Sequence, residues 1–95
     1  NMDVILDIGH IHCNTRSKIS EWIEYLGPLI GYVHLHDNHG QEDEHLGLGK
    51  GTLPMHEVLQ LLRTYSPNAI WALEARGEDI QGSLDWLKNF GFLAT

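Results

Sequence analysis

The chain has 95 residues, 42% of them hydrophobic, which suits one small domain with little room for a deep core of its own. Six lysines and arginines against thirteen acidic residues give a net charge of −7, which argues against non-specific attraction to nucleic acid or to an anionic membrane surface. The single cysteine excludes an internal disulfide, and no apolar run approaches the roughly 20 residues of a membrane span. We therefore expect a cytoplasmic domain, and the strand-like run at its very start predicts that the domain was cut from a longer chain.

Three apolar runs predict strands at about 2–7, 31–36 and 69–74, and an acidic or histidine residue stands at or near the end of each run. Apolar runs of this length, without alternation, are typical of parallel strands that are buried on both faces. The carboxyl ends of such strands meet at one edge of the sheet. The polar residues that follow the three runs are therefore expected to lie together.

Helix patterns separate the three runs. Apolar residues recur at positions i, i+3, i+4 and i+7 over about 18–26, and a Gly-Pro pair follows as a stop signal. A second helix is predicted over about 54–64, with Pro54 as its first residue, and a third over about 80–89, with Gly91 as its C-cap.

The resulting three βα units predict an α/β fold, in which residues 1–95 form the C-terminal portion of a TIM (β/α) barrel. A complete barrel has eight such units, with its active site at the carboxyl ends of the strands. Three strands alone would leave two unpaired edges and an unfilled barrel interior. We therefore expect either the missing N-terminal barrel half or a second copy of the chain to complete the sheet.

Asp7, His34 and Glu74 follow the three strands at equivalent positions and should point toward one centre. Carboxylate oxygen and neutral imidazole nitrogen are the ligands that zinc, manganese and cobalt accept, and magnesium is also compatible with this set. Strand ends hold such ligands on a rigid frame. The sequence therefore predicts a divalent metal bound by these three residues.

Other histidines near the strand ends have two interpretations each. His10, three residues after Asp7, either bonds the following loop or serves as a metal or acid/base residue. His34 and His36 lie on the same side of their strand. His34 lies deeper and is the better ligand, whereas His36 is expected to line the pocket mouth or to bond the loop. The remaining histidines are expected on the surface or in loops: His12, His39 and His56.

The glycine-rich run over 47–51 contains Lys50 and superficially resembles a phosphate-binding loop. A P-loop requires a preceding strand and a Ser or Thr after the lysine, and this run has neither. We therefore expect a tight turn that leads into the helix at Pro54.

Taken together, the motifs resemble the superfamily of xylose-isomerase-like barrels, which contains sugar-phosphate isomerases and epimerases and also endonuclease IV. The resemblance rests on four segments in the family's order, spanning nearly the whole chain: 6–10 (LDIGH), 33–38 (VHLHDN), 43–51 (DEHLGLGKG) and 73–74 (LE).

In the isomerases and epimerases, one divalent metal is held by Glu, Asp, His and Glu from successive strands. The resemblance implies that Asp7, His34 and Glu74 are the last three ligands, while the first Glu has no counterpart in this chain. It also implies that His10 contacts substrate and that Glu74 doubles as an acid/base group. The substrate-binding residues would be His10, His36 and Arg76. The implied activity is isomerisation of a sugar or sugar phosphate by proton transfer through a metal-bound enediolate. The chain alone should then be inactive.

Endonuclease IV offers a rival interpretation, because six residues match its three-zinc cluster: Asp7, His10, His34, Asp43, His45 and Glu74. Asp43, His45 and His10 would then be additional metal ligands. Against this, the loop before Asp43 is shorter than in the endonucleases, a Glu replaces a basic residue at position 44, and the chain is acidic. DNA binding needs cationic contacts to phosphates, and few lie in loops: Arg16, Lys18, Lys50 and Arg76. We favour a sugar substrate over nucleic acid, and keep non-catalytic assembly of an incomplete barrel as a third interpretation.

Overall fold

The computed structural model describes residues 3–15 and 18–93. Within them, a parallel sheet contains β1 (Val4–Asp7), β2 (Ile30–Leu35) and β3 (Ile70–Leu73), hydrogen-bonded in the order β1-β2-β3. The first strand was expected from about residue 2, which lies outside the described residues. Each strand pairs with its neighbour along the chain, as expected for successive βα units.

The helices of the described residues are α1 (Ile8–Asn14), α2 (Ile19–Leu26), α3 (Met55–Tyr65) and α4 (Ile80–Asn89). Short 3₁₀ turns precede β2 and α4, at Gly27–Leu29 and Gly77–Asp79. Pro54 was expected to be the first residue of α3, but it is the N-cap, and the helix begins one residue later. None of these helices is long and apolar enough to cross a membrane.

Helix α1 was not predicted, and a loop was expected in its place. It begins directly after β1, with Asp7 as its N-cap, because the Asp7 side chain accepts a hydrogen bond from the amide of His10. Its sequence contains a glycine and two isoleucines, which are poor helix formers. Burial of Ile8, Gly9 and Ile11 against the rest of the domain stabilises it instead.

Helix α4 ends in a Schellman motif. Gly91 has a φ of +79°, and its amide donates to the carbonyl oxygen of Lys88, while the Phe92 amide donates to that of Leu87. Gly91 thus ends the helix as its sequence position predicted. The motif turns Phe92 back onto the helix, where its ring stacks on that of Trp86.

The core lies between one face of the sheet and the helices. Leu6, Val33 and Leu35 point into it and are at most 3% exposed. The other members of this core are Ile8, Ile11, Ile19, Ile23, Ile30, Leu48, Leu53, Met55, Val58, Leu59, Leu62 and Leu87.

The opposite face of the sheet carries an apolar row that is open to solvent. Ile5, Tyr32 and Ile70 are register neighbours across the strands, and they are 61%, 44% and 56% exposed. In a complete barrel this face lies inside and is filled by side chains from other strands. Asp7 and His34 form the next row on the same face, toward the carboxyl ends of the strands. We call Ile5, Tyr32 and Ile70 the open row.

Candidate metal centre

The ends of adjacent strands bring Asp7, His34 and Glu74 together, and we call these residues the strand-end cluster. Nδ1 of His34 lies 3.5 Å from Oε1 of Glu74 and 3.9 Å from Oδ2 of Asp7. The Glu74 amide donates to the carbonyl oxygen of Leu35, which extends the pairing of β2 and β3 by one residue. All three side chains are about one-third to two-fifths exposed, so the cluster is open to solvent.

Asp7 is held from two sides. Its Oδ1 accepts the hydrogen bond from the His10 amide at 2.9 Å and lies 2.6 Å from Nε2 of His36. Its Oδ2 is the oxygen that faces His34. One carboxylate therefore joins the start of α1, the end of β2 and the strand-end cluster.

His36 was expected to line the pocket mouth or to bond the loop. It is completely buried, so it does not line the mouth, and its hydrogen bond is to Asp7, although its Nδ1 lies 3.7 Å from Oδ1 of Asp43 in the loop. Its ring lies against the backbone of Gly9, where an added Cβ would lie 2.2 Å from Cε1 of the ring. On the other side it stacks on the ring of His45, with centroids 4.0 Å apart and the planes within 5°. Only glycine at position 9 allows α1 to pass this close to the ring.

A second group of ligand-type side chains surrounds Asp43 in the loop after β2. Oδ1 of Asp43 lies 3.7 Å from Nδ1 of His36, and its Oδ2 lies 3.4 Å from Nε2 of His45. One ligand atom from each of these three residues lies within 4.8 Å of those of the other two. We call His36, Asp43 and His45 the loop cluster. His36 joins it to the strand-end cluster through Asp7.

His45 is fixed by an unusual backbone conformation and a hydrogen bond. Its φ is +55°, and its Nδ1 donates to the backbone carbonyl of Glu74 at 2.8 Å. That hydrogen bond raises the pKa of His45, and the nearby charge of Asp43 adds to the effect. Because Nδ1 carries the proton in the neutral ring, Nε2 presents its lone pair to Asp43.

His10 lies at the rim of the loop cluster. Its Nδ1 is 3.9 Å from Oδ2 of Asp43, and its side chain is 63% exposed. The amide of His10 donates to the N-cap residue Asp7, and the ring faces outward, where solvent or a bound molecule can reach it. The backbone hydrogen bond describes how the residue is held, and a role of His10 as a metal or acid/base residue stays a prediction.

Buried Asp37 organises the loop that presents Asp43 and His45. Its carboxylate accepts hydrogen bonds from the amides of Asn38 (2.8 Å), Gly51 (3.0 Å) and Leu53 (3.1 Å). Its backbone also pairs with that of Leu46 in both directions, at 2.9 Å. The two ends of the loop are thus closed by a single side chain.

Asn38 is equally buried and ties the same loop to α1. Its Nδ2 donates to the carbonyl oxygen of Gly9, and its Oδ1 accepts from the amide of Gly40, both at 2.8 Å. Sequence analysis assigned no role to Asp37 or Asn38. A signal was present, since two polar residues at the start of a loop, just after a buried strand, are typical of side chains that bond loop backbone.

The glycine-rich run forms a turn, as expected. The Lys50 amide donates to the carbonyl oxygen of Gly47 at 3.1 Å, and Nζ of Lys50 bonds Oδ1 of Asp79 at 2.5 Å. The hydrogen bond and charge of Lys50 lower the pKa of Asp79. Leu48 donates its amide to Oγ of Ser83, which attaches the turn to α4. The lysine is therefore an anchor for the turn.

The remaining predicted residues lie around these clusters. The Arg76 amide donates to the carbonyl oxygen of His45 at 3.3 Å, and its side chain is exposed. His12 lies in α1 rather than in a loop, and its ring forms a hydrogen bond with the hydroxyl of Thr52. Exposed His39 forms a hydrogen bond with the carboxylate of Glu44. His56 packs edge-on against two phenylalanine rings near the end of α4. Arg16 lies outside the described residues.

Comparison with known proteins identifies the family. A family model described as a xylose isomerase-like TIM barrel matches residues 1–90. Two uncharacterised proteins of Methanocaldococcus jannaschii are similar: MJ1311 is 35% identical over 95% of the chain, and MJ1614 is 33% identical over 83%. A crystal structure of a D-tagatose 3-epimerase-like protein superposes with a TM-score of 0.78 and 33% identity over 95% of the chain.

The match covers only part of each of these proteins. The chain spans 31% of MJ1311, 30% of MJ1614 and 34% of the solved epimerase-like chain. Its sheet and helices correspond to part of a TIM barrel, as the three βα units predicted. The chain belongs to the xylose isomerase-like TIM barrel family.

Proposed function

We propose that the chain carries part of the active site of a divalent-metal-dependent isomerase or epimerase that acts on a sugar or sugar phosphate. The observation that carries the proposal is the convergence of Asp7, His34 and Glu74, with His34 within 4 Å of both carboxylates. Two carboxylates around one imidazole repel each other unless a cation lies between them. Zinc, manganese, cobalt and magnesium all accept this donor set. The similarity to an epimerase-like protein points in the same direction.

A divalent metal at this cluster would polarise the carbonyl and the adjacent hydroxyl of an α-hydroxycarbonyl sugar. Glu74, whose side chain is 43% exposed, would remove the proton from the sugar carbon and, in an isomerase, return it to the neighbouring carbon. Epimerisation would need a second acid on the opposite face of the sugar, which the rest of the barrel would supply. The exposed ring of His10 would bind a sugar hydroxyl. Exposed Arg76, two residues beyond Glu74, would bind a further hydroxyl or a phosphate of the substrate.

The open row supports a place within a larger barrel. Three exposed apolar side chains at the centre of one sheet face are expected where other strands normally pack. We therefore propose that the remaining barrel strands, or a second copy of the chain, complete the site and supply the fourth metal ligand. The 95-residue chain alone should not isomerise sugars.

The experiment combines metal analysis with a proton-exchange assay. Metal content is measured by elemental mass spectrometry in the complete barrel and in the chain alone, with His34→Gln, Glu74→Gln and the control Glu78→Gln. The first two variants should lose one metal per chain, and exchange of deuterium from D₂O into a panel of aldoses, ketoses and their phosphates should fall at least about 100-fold. Glu78→Gln should change neither, because Glu78 is an exposed residue of the 3₁₀ turn before α4. A complete barrel that binds metal but exchanges no sugar proton would refute the proposal.

A multi-metal phosphodiesterase is the second candidate. It is favoured by the short distances from Asp43 to His45 and His10, 3.4 Å and 3.9 Å, since these three residues resemble zinc ligands of endonuclease IV. The net charge of −7 and the engagement of Lys50 with Asp79 argue against DNA as the substrate. Cleavage of an abasic-site duplex, lost in His10→Gln, would favour this function over the isomerase.

A further inference from the structure

We propose that His36 is a positioning residue for the strand-end cluster, in which its Nε2 holds Oδ1 of Asp7 so that Asp7 offers a metal only Oδ2. The inference rests on the metal site of the proposed function, and it adds a residue that touches neither metal nor substrate. It gives His36 a different role from the substrate contact that the family resemblance implies.

Two hydrogen bonds reach the carboxylate of Asp7, and both fall on the same oxygen. The amide of His10 lies 2.9 Å from Oδ1, and Nε2 of His36 lies 2.6 Å from it. A carboxylate oxygen has two lone pairs, so these two donors saturate Oδ1. Because a carboxylate only accepts hydrogen bonds, Nε2 of His36 carries a proton. Oδ2 faces His34 at 3.9 Å and is the oxygen left for a metal.

The other ring nitrogen of His36 shows that the residue is more than a packing residue. The side chain has no exposed surface, and Nδ1 has no hydrogen-bond partner among the described residues. Oδ1 of Asp43, at 3.7 Å, is too far away to accept from it. A buried polar atom without a partner is unfavourable, and an apolar side chain of the same size would avoid it. A histidine at this position is therefore explained by what Nε2 does for Asp7.

The ring of His36 is also held in one orientation. An added Cβ at Gly9 would lie 2.2 Å from Cε1, so the backbone of α1 confines the ring. The ring of His45 stacks on it, with centroids 4.0 Å apart, and His45 is itself bound to the carbonyl oxygen of Glu74. Nε2 therefore keeps a fixed direction toward Asp7. Groups behind a metal ligand orient it in this way.

The consequence for the proposed reaction is an open position at the metal. A carboxylate binds a metal ion through one oxygen or through two. With Oδ1 of Asp7 engaged by His36, the carboxylate binds through Oδ2 alone. The position that a second oxygen would occupy stays available to the carbonyl or hydroxyl oxygen of a sugar.

The test compares two amide variants in the complete barrel. His36→Gln keeps an amide donor near the place of Nε2, whereas the side chain of His36→Asn is one methylene shorter and does not reach Asp7. In calorimetric titrations with Co²⁺, His36→Asn should weaken binding about 10–100-fold, and His36→Gln should keep most of the affinity. His56→Asn in α3 is the matched control and should bind Co²⁺ like the parent.

The visible absorption of bound Co²⁺ separates positioning from a merely structural role. In His36→Asn the released Oδ1 of Asp7 can join Oδ2 at the metal. Co²⁺ should then gain a ligand, and its absorption should weaken relative to the parent. His36→Gln should keep the spectrum of the parent. A residue that only filled space would change the stability of both variants and leave the spectrum as it is.

Circular dichroism and urea unfolding establish that each variant is folded. If His36→Asn does not fold, long-range ¹H–¹⁵N spectra of the parent barrel carry the test, and Nε2 of His36 should stay protonated when zinc is bound. A zinc form without that proton would overturn the proposal, and so would equal Co²⁺ affinities and spectra of His36→Asn and the parent, or equal losses in the two variants.

The same measurements separate this proposal from the proposed function. A parent barrel that binds neither Co²⁺ nor zinc would refute both. Weaker Co²⁺ binding in His36→Asn but not in His36→Gln, in a barrel that exchanges no sugar proton, would support the role of His36 and refute the proposed function alone.

Discussion

Nε2 of His36 lies 2.6 Å from Oδ1 of Asp7, so a completely buried ring holds the carboxylate whose other oxygen faces His34. Through this bond the strand-end cluster and the loop cluster share one network. Asp7 cannot move toward a ligand without affecting His36, and His36 cannot move without affecting the stacked ring of His45. Substitutions that displace His36 should therefore change both clusters.

Gly9→Ala is expected to displace His36. The added methyl group would lie 2.2 Å from Cε1 and 2.3 Å from Nδ1 of the ring, which is far inside van der Waals contact. We expect the free energy of unfolding to fall by about 1–3 kcal/mol, as for overpacking of other cores. Zinc binding at the strand-end cluster should also weaken, because His36 holds Asp7. Urea unfolding measures the first effect. Gly82→Ala in α4 is the control, because nothing lies within 4 Å of its Cβ, and it should stabilise the helix by about 0.5–1 kcal/mol.

Asp37→Asn is expected to loosen the loop that carries Asp43 and His45. An asparagine amide group in place of one carboxylate oxygen would face the amide of Gly51 or of Leu53, donor against donor. The free energy of unfolding should fall by about 1–3 kcal/mol, and limited proteolysis should cut the loop faster. Asp85→Asn, at an exposed position, is the control, and its free energy of unfolding should stay within about 0.5 kcal/mol of that of the parent chain. Equal stability of the two variants would contradict this role of Asp37.

Lys50→Gln is expected to change the acid dependence of stability. Lys50 lowers the pKa of Asp79 below its ordinary value near 3.8 in the folded chain. The ion pair therefore stabilises the fold above that value, and this contribution is lost as the pH falls through the lowered pKa. The variant should be less stable at neutral pH and should lose less stability on acidification below about pH 4. Urea unfolding across pH measures this, with exposed Lys88→Gln as a control of equal charge. Parallel profiles for both variants would show that the pair contributes nothing.

Substitutions in the open row are expected to be mild in the chain alone. Ile70→Ser removes a side chain that is 56% exposed and should lower the free energy of unfolding by less than about 1 kcal/mol. Leu35 is 1% exposed, and Leu35→Ala should lower it by about 2–5 kcal/mol. Urea unfolding is compared at a concentration where sedimentation shows a monomer. In a complete barrel Ile70→Ser should become costly, because its side chain would be buried. Similar costs of the two substitutions in the monomer would mean that the open row is already covered.

The order of the elements could be predicted because it depends on local patterns. Apolar runs and helical periodicity predicted an α/β arrangement of three βα units, and the structure and the family match show that arrangement. The convergence of Asp7, His34 and Glu74 followed from the rule that parallel strands end at one edge. Their roles as metal ligands, and those of His10 and Arg76 toward substrate, stay predictions.

The sequence by itself determined which residue types stand at the strand ends, and only the tertiary structure decided how they are supported. The burial of His36 depends on Gly9, 27 positions earlier in the chain, and on His45, nine positions later. Asp37 reaches Gly51 and Leu53 across the loop. No periodicity reports such contacts, because they arise when the βα units pack and a buried polar group takes the partner that the fold brings to it.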